Sequence, residues 1–204
     1  MLNQYAKLNE YIDRDFTEGL VYEWTESSTQ IHDRYSDEEI RIPWSKLYEI
    51  NNVDIILIMI YTGLRPTELL EILTENVHLE EKYMTGGMKT DAGGDRIIPL
   101  NDKIIPLVKN RYDPSKKYLI NNKYVNHYAY GTYANGNFNT CMGKLKMMQF
   151  PHDDRHTFAS LMDNAGANDV CIKLIMGHSM KDDITKETFT HKTIKELLTE
   201  VNKI

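Results

Sequence analysis

The sequence predicts an α+β fold that is mainly helical and carries a small antiparallel sheet. A length of 204 residues with 41% hydrophobic content supports one compact domain rather than two full ones. Apolar residues recur at helical spacing over much of the chain, whereas residues 77–100 consist of short segments with β-branched residues and glycine between them. These two patterns predict helices packed around a small sheet.

The first 35 residues differ from the rest. Residues 1–22 have apolar side chains at helical spacing, and residues 23–35 are mostly polar and charged. We predict that residues 1–22 are a remnant of the helix or linker of a preceding domain and that residues 23–35 are a linker. The main domain is then expected to span residues 36–204.

Three helices are expected in the first half of this domain. The first is predicted from Trp44 to about Ile50. The dense apolar run VDIILIMIYTG predicts a buried helix that ends at Gly63. A proline suits the first turn of a helix, so Pro66 to about Leu73 is predicted as a third helix with Arg65 at its start.

The sheet is expected between residues 77 and 100, with Lys89 on or beside a strand and a turn over residues 92–95. After it, the pattern predicts a helix over residues 103–111 and a short strand over residues 118–120. A weaker helix, interrupted by glycines, is predicted over residues 127–146.

The C-terminal third carries clear helix boundaries. Asp153 or Asp154 is predicted to cap one helix, and Gly177 to end the next helix just before His178. Residues 193–204 begin with Thr193 and Glu196 at capping-box spacing, which predicts a terminal helix with one apolar face.

Composition narrows the class of protein. A net charge of −6 gives no support to a nucleic-acid partner, although a basic face can coexist with an acidic back. The two cysteines lie in apolar, helix-like contexts, and the chain has no signal peptide and no long apolar run. We therefore expect a cytoplasmic protein without a disulfide framework or a membrane partner.

Cationic and hydrogen-bonding residues cluster near the C-terminus. His152 and Arg155 are three residues apart at a predicted helix start, where free N–H groups and the helix dipole favour an anion. His178 follows a helix-ending glycine. These residues suit an oxyanion, but an interior histidine with a salt-bridged arginine, and a histidine that only caps a helix, remain open alternatives.

A metal site is a further alternative. His152 and His156 are four residues apart, and His178 and His191 follow later in the chain. However, the chain offers no HExxH arrangement and no cysteines at ligand spacing, and Arg155 between two histidines would repel a cation. We expect no metal and no other cofactor.

Five ordered segments carry a specific resemblance: YTGLRPTELL, MKTDAGGDRIIPL, PHDDRHTFAS, IMGHS and TFTHKT. Their order and spacing resemble those of the tyrosine recombinases, the integrases of phages and conjugative transposons. The resemblance covers roughly residues 36–204 and implies the catalytic domain of such an enzyme. It also implies two partners, the double-stranded DNA of a recombination core site and other recombinase protomers in a synaptic tetramer.

The resemblance assigns roles to five residues. Arg65 and Arg155 match the two arginines that clamp the scissile phosphate. Lys89 matches the lysine that protonates the departing 5′ hydroxyl. His152 and His178 match positions that hydrogen-bond the phosphate and assist proton transfer.

Two further positions complete the comparison with the family. Glu68 resembles the acid that braces the helix of the first arginine. Phe189 stands where the family has its nucleophilic tyrosine, and the last tyrosine of the chain is Tyr133. We therefore expect a recombinase domain that cannot cleave DNA as written, either through a substitution that traps a DNA complex or as a naturally inactive DNA-binding module.

The terminal helix has an expected role by the same resemblance. In the family such segments often pack on a neighbouring protomer. We therefore predict that the face formed by Ile194, Leu197 and Val201 docks on another protomer during synapsis.

Overall fold

The computed structural model describes residues 7–14, 33–87, 96–121, 127–178 and 192–204. The chain divides into two units, Met1–Ile31 and His32–Ile204. In the first unit, a turn is closed by the Glu10 N–H, which donates to the Lys7 carbonyl at 3.1 Å. The predicted roles of residues 1–22 and 23–35 stay predictions.

The second unit contains helices and one three-stranded sheet, so the predicted α+β architecture is confirmed. In chain order its elements are α1 (Asp37–Ser45), α2 (Val53–Thr62), α3 (Pro66–Leu70), a 3₁₀ turn (Thr74–Asn76), β1 (Val77–His78), β2 (Tyr83–Gly86), β3 (Arg96–Pro99), α4 (Ile105–Arg111), α5 (Tyr130–Thr132), a π-helix (Tyr133–Phe138), α6 (Asn139–Leu145), α7 (Asp153–Asn164), α8 (Asp169–Met176) and α9 (Ile194–Val201).

Helix α1 corrects the sequence prediction, which placed the first helix from Trp44 to about Ile50. The helix instead ends at Ser45, because its start signal lies upstream. Ser36 and Glu39 form a reciprocal capping box, with the Ser36 N–H donating to the Glu39 carboxylate at 2.8 Å. This cap starts the helix at Asp37, seven residues earlier than predicted, and Pro43 lies within its last turn.

Helix α2 forms the centre of the core, as its apolar run predicts. All its residues except Asp54 are buried. Gly63 ends it at φ +65°, and a Cβ there would lie 2.3 Å from the Phe158 ring, so close packing on α7 also requires glycine. At ten residues α2 is short, and no helix within the described ranges is long and apolar enough to cross a bilayer.

The sheet is antiparallel with strand order β1-β2-β3. Its register pairs Met84 with Ile98 and Gly86 with Arg96. Met84 and Ile98 are fully buried and place one face of the sheet in the core. The predicted strand over residues 118–120 is wrong, since Tyr118 makes only an isolated bridge to Leu73.

Residues 130–145 are helical, in agreement with the predicted weaker helix over residues 127–146. The middle of this stretch is the π-helix, which has wider turns than the α-helical segments on either side. Tyr133 and Phe138 on the π-helix are buried, whereas Tyr130 is 38% exposed.

Helices α7 and α8 lie where predicted, but the cap of α7 differs. His152 occupies the N-cap, and Asp153 and Asp154 lie buried within the first turn. The Asp153 carboxylate instead accepts from the Phe150 N–H at 2.6 Å, so it closes the turn before the helix. Gly177 ends α8 at φ +67°, which confirms that prediction.

Helix α9 begins with the predicted capping box of Thr193 and Glu196. Its Leu197 and Val201 are buried in a cluster with apolar residues of α7 and α8. The Asn101 side chain also donates to the Val201 carbonyl at 2.7 Å. Leu197 and Val201 are thus covered within the chain, and the docking of this face on another protomer stays a prediction.

Candidate functional site

Arg65 occupies the corner between α2 and α3. Gly63 and Leu64 end one helix and Pro66 begins the next, so the backbone of Arg65 is fixed on both sides. The Arg65 N–H donates to one oxygen of Glu68 at 2.8 Å, and its guanidinium donates to the other at 3.0 Å. Its side chain remains 35% exposed, so it can reach a ligand.

Glu68 is the centre of the site, and its side chain is fully buried. Besides Arg65, it receives two hydrogen bonds from Arg96, at 3.1 and 2.8 Å. Burial alone would raise the pKa of Glu68. The hydrogen bonds from Arg96 and from the Arg65 backbone, together with the charges of both arginines, outweigh this effect and lower the pKa to about 2. Glu68 is therefore ionised at neutral pH.

Arg155 extends from α7 beneath this cluster and is 7% exposed. Its guanidinium donates to the Gly63 carbonyl at 2.6 Å and to the Met176 carbonyl at 2.7 Å. It lies 4.0 Å from the Glu68 carboxylate. Burial lowers the pKa of Arg155 to about 10, with a contribution from Arg65, so the group still carries its charge at neutral pH.

The two histidines lie at helix ends. His152 is exposed at the N-cap of α7, with the Tyr130 ring edge-on at 6.4 Å between centroids. His178 directly follows Gly177, and its N–H donates to the Lys173 carbonyl at 3.0 Å. Burial and the neighbouring charges of Arg155, Arg65, Arg96 and Lys173 lower the pKa of His178. A neutral imidazole, which can donate a hydrogen bond at one nitrogen and accept a proton at the other, is favoured there.

The structure thus brings Arg65, Arg155 and Glu68 together, with His178 within their electrostatic influence. Lys89 and Phe189 lie outside the described residues, as does His191. Three guanidinium groups surround one carboxylate among the described residues, which leaves an excess of positive charge suited to an anion. No group of three metal-ligating side chains occurs within those residues.

Arg96 was missed by the sequence reasoning, although it stands within the RIIPL segment. The signal was the period of two in a strand, which places Arg96 on the same face as the buried Ile98. A charged side chain on an inward face needs a partner, and a nearby buried acid was available in Glu68.

Comparisons with known proteins identify relatives of this chain. The tyrosine recombinase XerA of Saccharolobus solfataricus is 31% identical over 156 residues, covering 73% of this chain and 48% of that protein. The chain therefore spans about half the length of the curated relatives it matches.

Two solved structures share the fold. The integrase of the Tn1549 transposon, in complex with circular intermediate DNA, has a TM-score of 0.67 at 20% identity and covers 97% of this chain and 73% of its own. The integrase from mycobacterium phage Brujita has a TM-score of 0.64 at 16% identity and covers 99% and 67%. The model of the phage integrase family matches residues 38–196, most of the chain. The chain therefore belongs to the phage integrase family.

Proposed function

We propose that this chain is the DNA-binding catalytic domain of a site-specific tyrosine recombinase that breaks and rejoins DNA through a phosphotyrosine intermediate. As written it cannot cleave, because Phe189 stands at the nucleophile position. The proposal rests chiefly on one observation, the convergence of Arg65 and Arg155 on Glu68 at the meeting point of three helices. The proposed partners are a double-stranded core site and other protomers in a synaptic tetramer, in the cytoplasm.

The two arginines suit the phosphoryl chemistry. Attack on a phosphodiester places extra negative charge on its non-bridging oxygens, and fixed guanidinium groups stabilise that charge more in the transition state than in the ground state. Arg155 is held by two backbone carbonyls, and Arg65 is held by Glu68. Neither group has to be reorganised when the charge develops, so both can contribute fully.

Proton transfer is assigned to three other groups. We infer that Lys89 protonates the departing 5′ hydroxyl, and that His152 and His178 hydrogen-bond the phosphate and assist proton transfer. The lowered pKa of His178 supports this role, because a neutral imidazole can accept a proton at one nitrogen while its N–H donates a hydrogen bond to the phosphate. The imidazolium formed in this way can return the proton when the strand is rejoined. Glu68 is assigned a bracing role, since its carboxylate is buried and fully engaged with arginines.

Phe189 has an aromatic ring and no hydroxyl. A tyrosine there would attack phosphorus, form a phosphotyrosine and release the 5′ hydroxyl, and the reverse reaction would rejoin the strand. Phenylalanine preserves the ring and removes the nucleophilic oxygen. Binding of the core site is therefore expected to persist while covalent chemistry is abolished.

Restoring the hydroxyl tests the proposal. Phe189→Tyr, incubated with a nicked suicide substrate that carries a recombination core site, should give a covalent protein–DNA adduct on a denaturing gel. The same substitution combined with Arg155→Gln serves as the matched control and should give at least about 100-fold less adduct. A folded Phe189→Tyr protein that binds this DNA and forms no adduct would overturn the nucleophile assignment.

The presence of Phe189 also favours a second candidate, a naturally inactive recombinase-like module that binds DNA. It shares the DNA-binding prediction and differs in the outcome of the same experiment. Such a module would bind the core site and would remain unable to form an adduct after Phe189→Tyr, because other parts of its site would have diverged.

A further inference from the structure

Arg96 makes polar contacts with Glu68 and with the end of α8, and none of the family roles of the other site residues accounts for them. Its side chain is only 7% exposed. Its two terminal nitrogens donate to the two oxygens of Glu68, at 3.1 and 2.8 Å, and its Nε donates to the Ile175 carbonyl at 2.8 Å. The planar guanidinium thus makes a bidentate pair on one side and a third bond on another.

These bonds join three parts of the chain that are distant in sequence. Arg96 begins β3 and pairs with Gly86 of β2, Glu68 lies on α3, and Ile175 lies near the end of α8. Lys89 lies in the connection between β2 and β3, three residues after Gly86. The Arg96 side chain therefore links β3, which follows the connection containing Lys89, to two other parts of the site. One is Glu68, which binds Arg65, and the other is α8, the helix that precedes His178.

The end of α8 is shaped around the same guanidinium. A Cβ at Gly177 would lie 3.1 Å from three Arg96 atoms, Cδ, Nε and Cζ. Arg96 and Arg155 also take successive carbonyls at this end, those of Ile175 and Met176. Two cations thus bind the orphan carbonyls at the negative end of the helix dipole, immediately before His178.

We propose that Arg96 is a positioning residue, which fixes Glu68, and through it Arg65, in register with the end of α8 that carries His178. This inference rests on the proposed function, because it concerns the geometry of the phosphate clamp. Arg96 acts through other residues and does not touch the phosphate itself. Lysine cannot replace it, since an ammonium cannot span both Glu68 oxygens and the Ile175 carbonyl in one plane.

The first experiment measures geometry in the Phe189→Tyr background. Arg96→Lys keeps the charge and loses the fork, so the single-turnover rate of adduct formation should fall by about 100-fold, the cost of a misplacement of roughly 1 Å. Arg41→Lys, at an exposed position on α1, is the matched control and should leave the rate unchanged. Rates are measured well below the unfolding midpoint of each variant, so lost stability alone does not change them.

A double-mutant cycle separates positioning from independent action. If Arg96 acts through Glu68, then Arg96→Lys combined with Glu68→Gln should lower the rate little more than the slower single variant does. The inference would be overturned if Arg96→Lys left the rate of the Phe189→Tyr parent unchanged. Fully additive losses of rate in the cycle would also overturn it.

The second experiment uses the chain as it stands and needs no cleavage. Besides burial, the charges of Arg155, Arg65, Arg96 and Lys173 lower the pKa of His178. Arg96→Gln removes one of them, so the pKa of His178, followed by NMR of the imidazole, should rise towards its ordinary value. Arg96→Lys serves if the glutamine variant does not fold, and it should displace the His178 imidazole resonances while Arg41→Lys does not.

The outcomes of the two experiments are distinguishable. Failure of Phe189→Tyr to form an adduct counts against the proposed function, and the His178 titration then still decides on Arg96. An unchanged His178 titration in Arg96→Gln, or unmoved resonances in the lysine variant where that is the one that folds, would count against Arg96 even if the adduct forms.

Discussion

Arg155 and Asp154 are neighbours on α7 and both are buried, yet their surroundings differ completely. Arg155 donates to two backbone carbonyls and lies beside Glu68. Neither carboxyl oxygen of Asp154 has a hydrogen-bond partner among the described residues, and the same holds for the hydroxyls of Tyr35 and Tyr133. Burial of a charged residue therefore does not by itself identify a site in this helix.

The two environments shift pKa values in opposite directions. Burial raises the pKa of Asp154 well above its ordinary value, and the nearby Tyr35 hydroxyl opposes this only in part, without reaching hydrogen-bonding geometry. Next to Arg155, by contrast, the pKa of Glu68 is lowered to about 2 by hydrogen bonds and charges from Arg96 and Arg65. The arginines of the paired cluster favour the charged form of Glu68, whereas burial disfavours the charged form of Asp154, and four predictions test this difference.

The largest effect is expected from breaking the paired cluster. Glu68→Ala leaves the buried guanidinium of Arg96 without its carboxylate, and removing one partner of a buried ion pair costs about 3 to 5 kcal/mol. Urea unfolding measures this loss. Glu49→Ala breaks the exposed pair with Lys46 and should cost under about 1 kcal/mol. Equal losses of unfolding free energy in the two variants would show that the buried cluster stabilises the fold no more than an exposed surface pair does.

The next effect is an acid dependence of stability. Because the folded pKa of Glu68 is lowered from 4.5 to about 2, its contribution is present above pH 4.5 and is lost as the pH falls towards 2. The difference corresponds to about 3 kcal/mol. The free energy of unfolding should therefore fall more steeply in the parent than in Glu68→Gln between these values, and parallel curves would contradict the paired state.

Asp154 should show the opposite dependence. Its raised folded pKa contributes stability at low pH, and that contribution is lost as the pH rises from its unfolded value towards its folded one. An asparagine does not ionise, so the stability of Asp154→Asn relative to the parent should improve as the pH rises, as urea unfolding at several pH values would show. Asp163→Asn, exposed on the same helix, is the control and should show no such trend.

The smallest effect concerns the two tyrosine hydroxyls. Tyr35→Phe and Tyr133→Phe each remove a buried group without a partner, so thermal unfolding should show no loss or a gain under about 1 kcal/mol. Thr157→Val is the contrast, because its hydroxyl accepts from the Tyr35 N–H and donates to the Asp153 carbonyl, and it should cost about 1 to 3 kcal/mol. A cost above about 1 kcal/mol for Tyr35→Phe would reveal a partner for its hydroxyl, either the nearby Asp154 or a buried water.

Local signals predicted much of the fold. The apolar run of α2, Gly63, Pro66 and the capping box at Thr193 each act within a few residues, so sequence spacing located their elements. The start of α1 was missed, although Ser36 and Glu39 stand at capping-box spacing, because the first helix was predicted to begin only at Trp44.

The contacts of the site were less predictable. Family motifs indicated Arg65 and Arg155, but the Arg96 bonds to Glu68 and to Ile175 span 28 and 79 residues of sequence. Such contacts depend on the packing of α3, β3 and α8, which no local spacing encodes. Asp153 or Asp154 was expected as a cap for a similar reason, because local spacing does not reveal that both carboxylates are buried or that Tyr35, which precedes α1, lies near Asp154.

The direction in which the Tyr130 side chain points depends on the number of residues in the π-helix over Tyr133–Phe138. Each residue of an α-helix turns the chain by about 100°. Deleting one residue, for example Asn135, would let the segment form an ordinary α-helix. The short helix α5 before it, which contains Tyr130, would then rotate about the helix axis by roughly that angle. The Tyr130 ring would then leave His152, although neither residue had been changed. A change of length in this stretch would therefore change the surroundings of His152 without replacing any side chain that touches it.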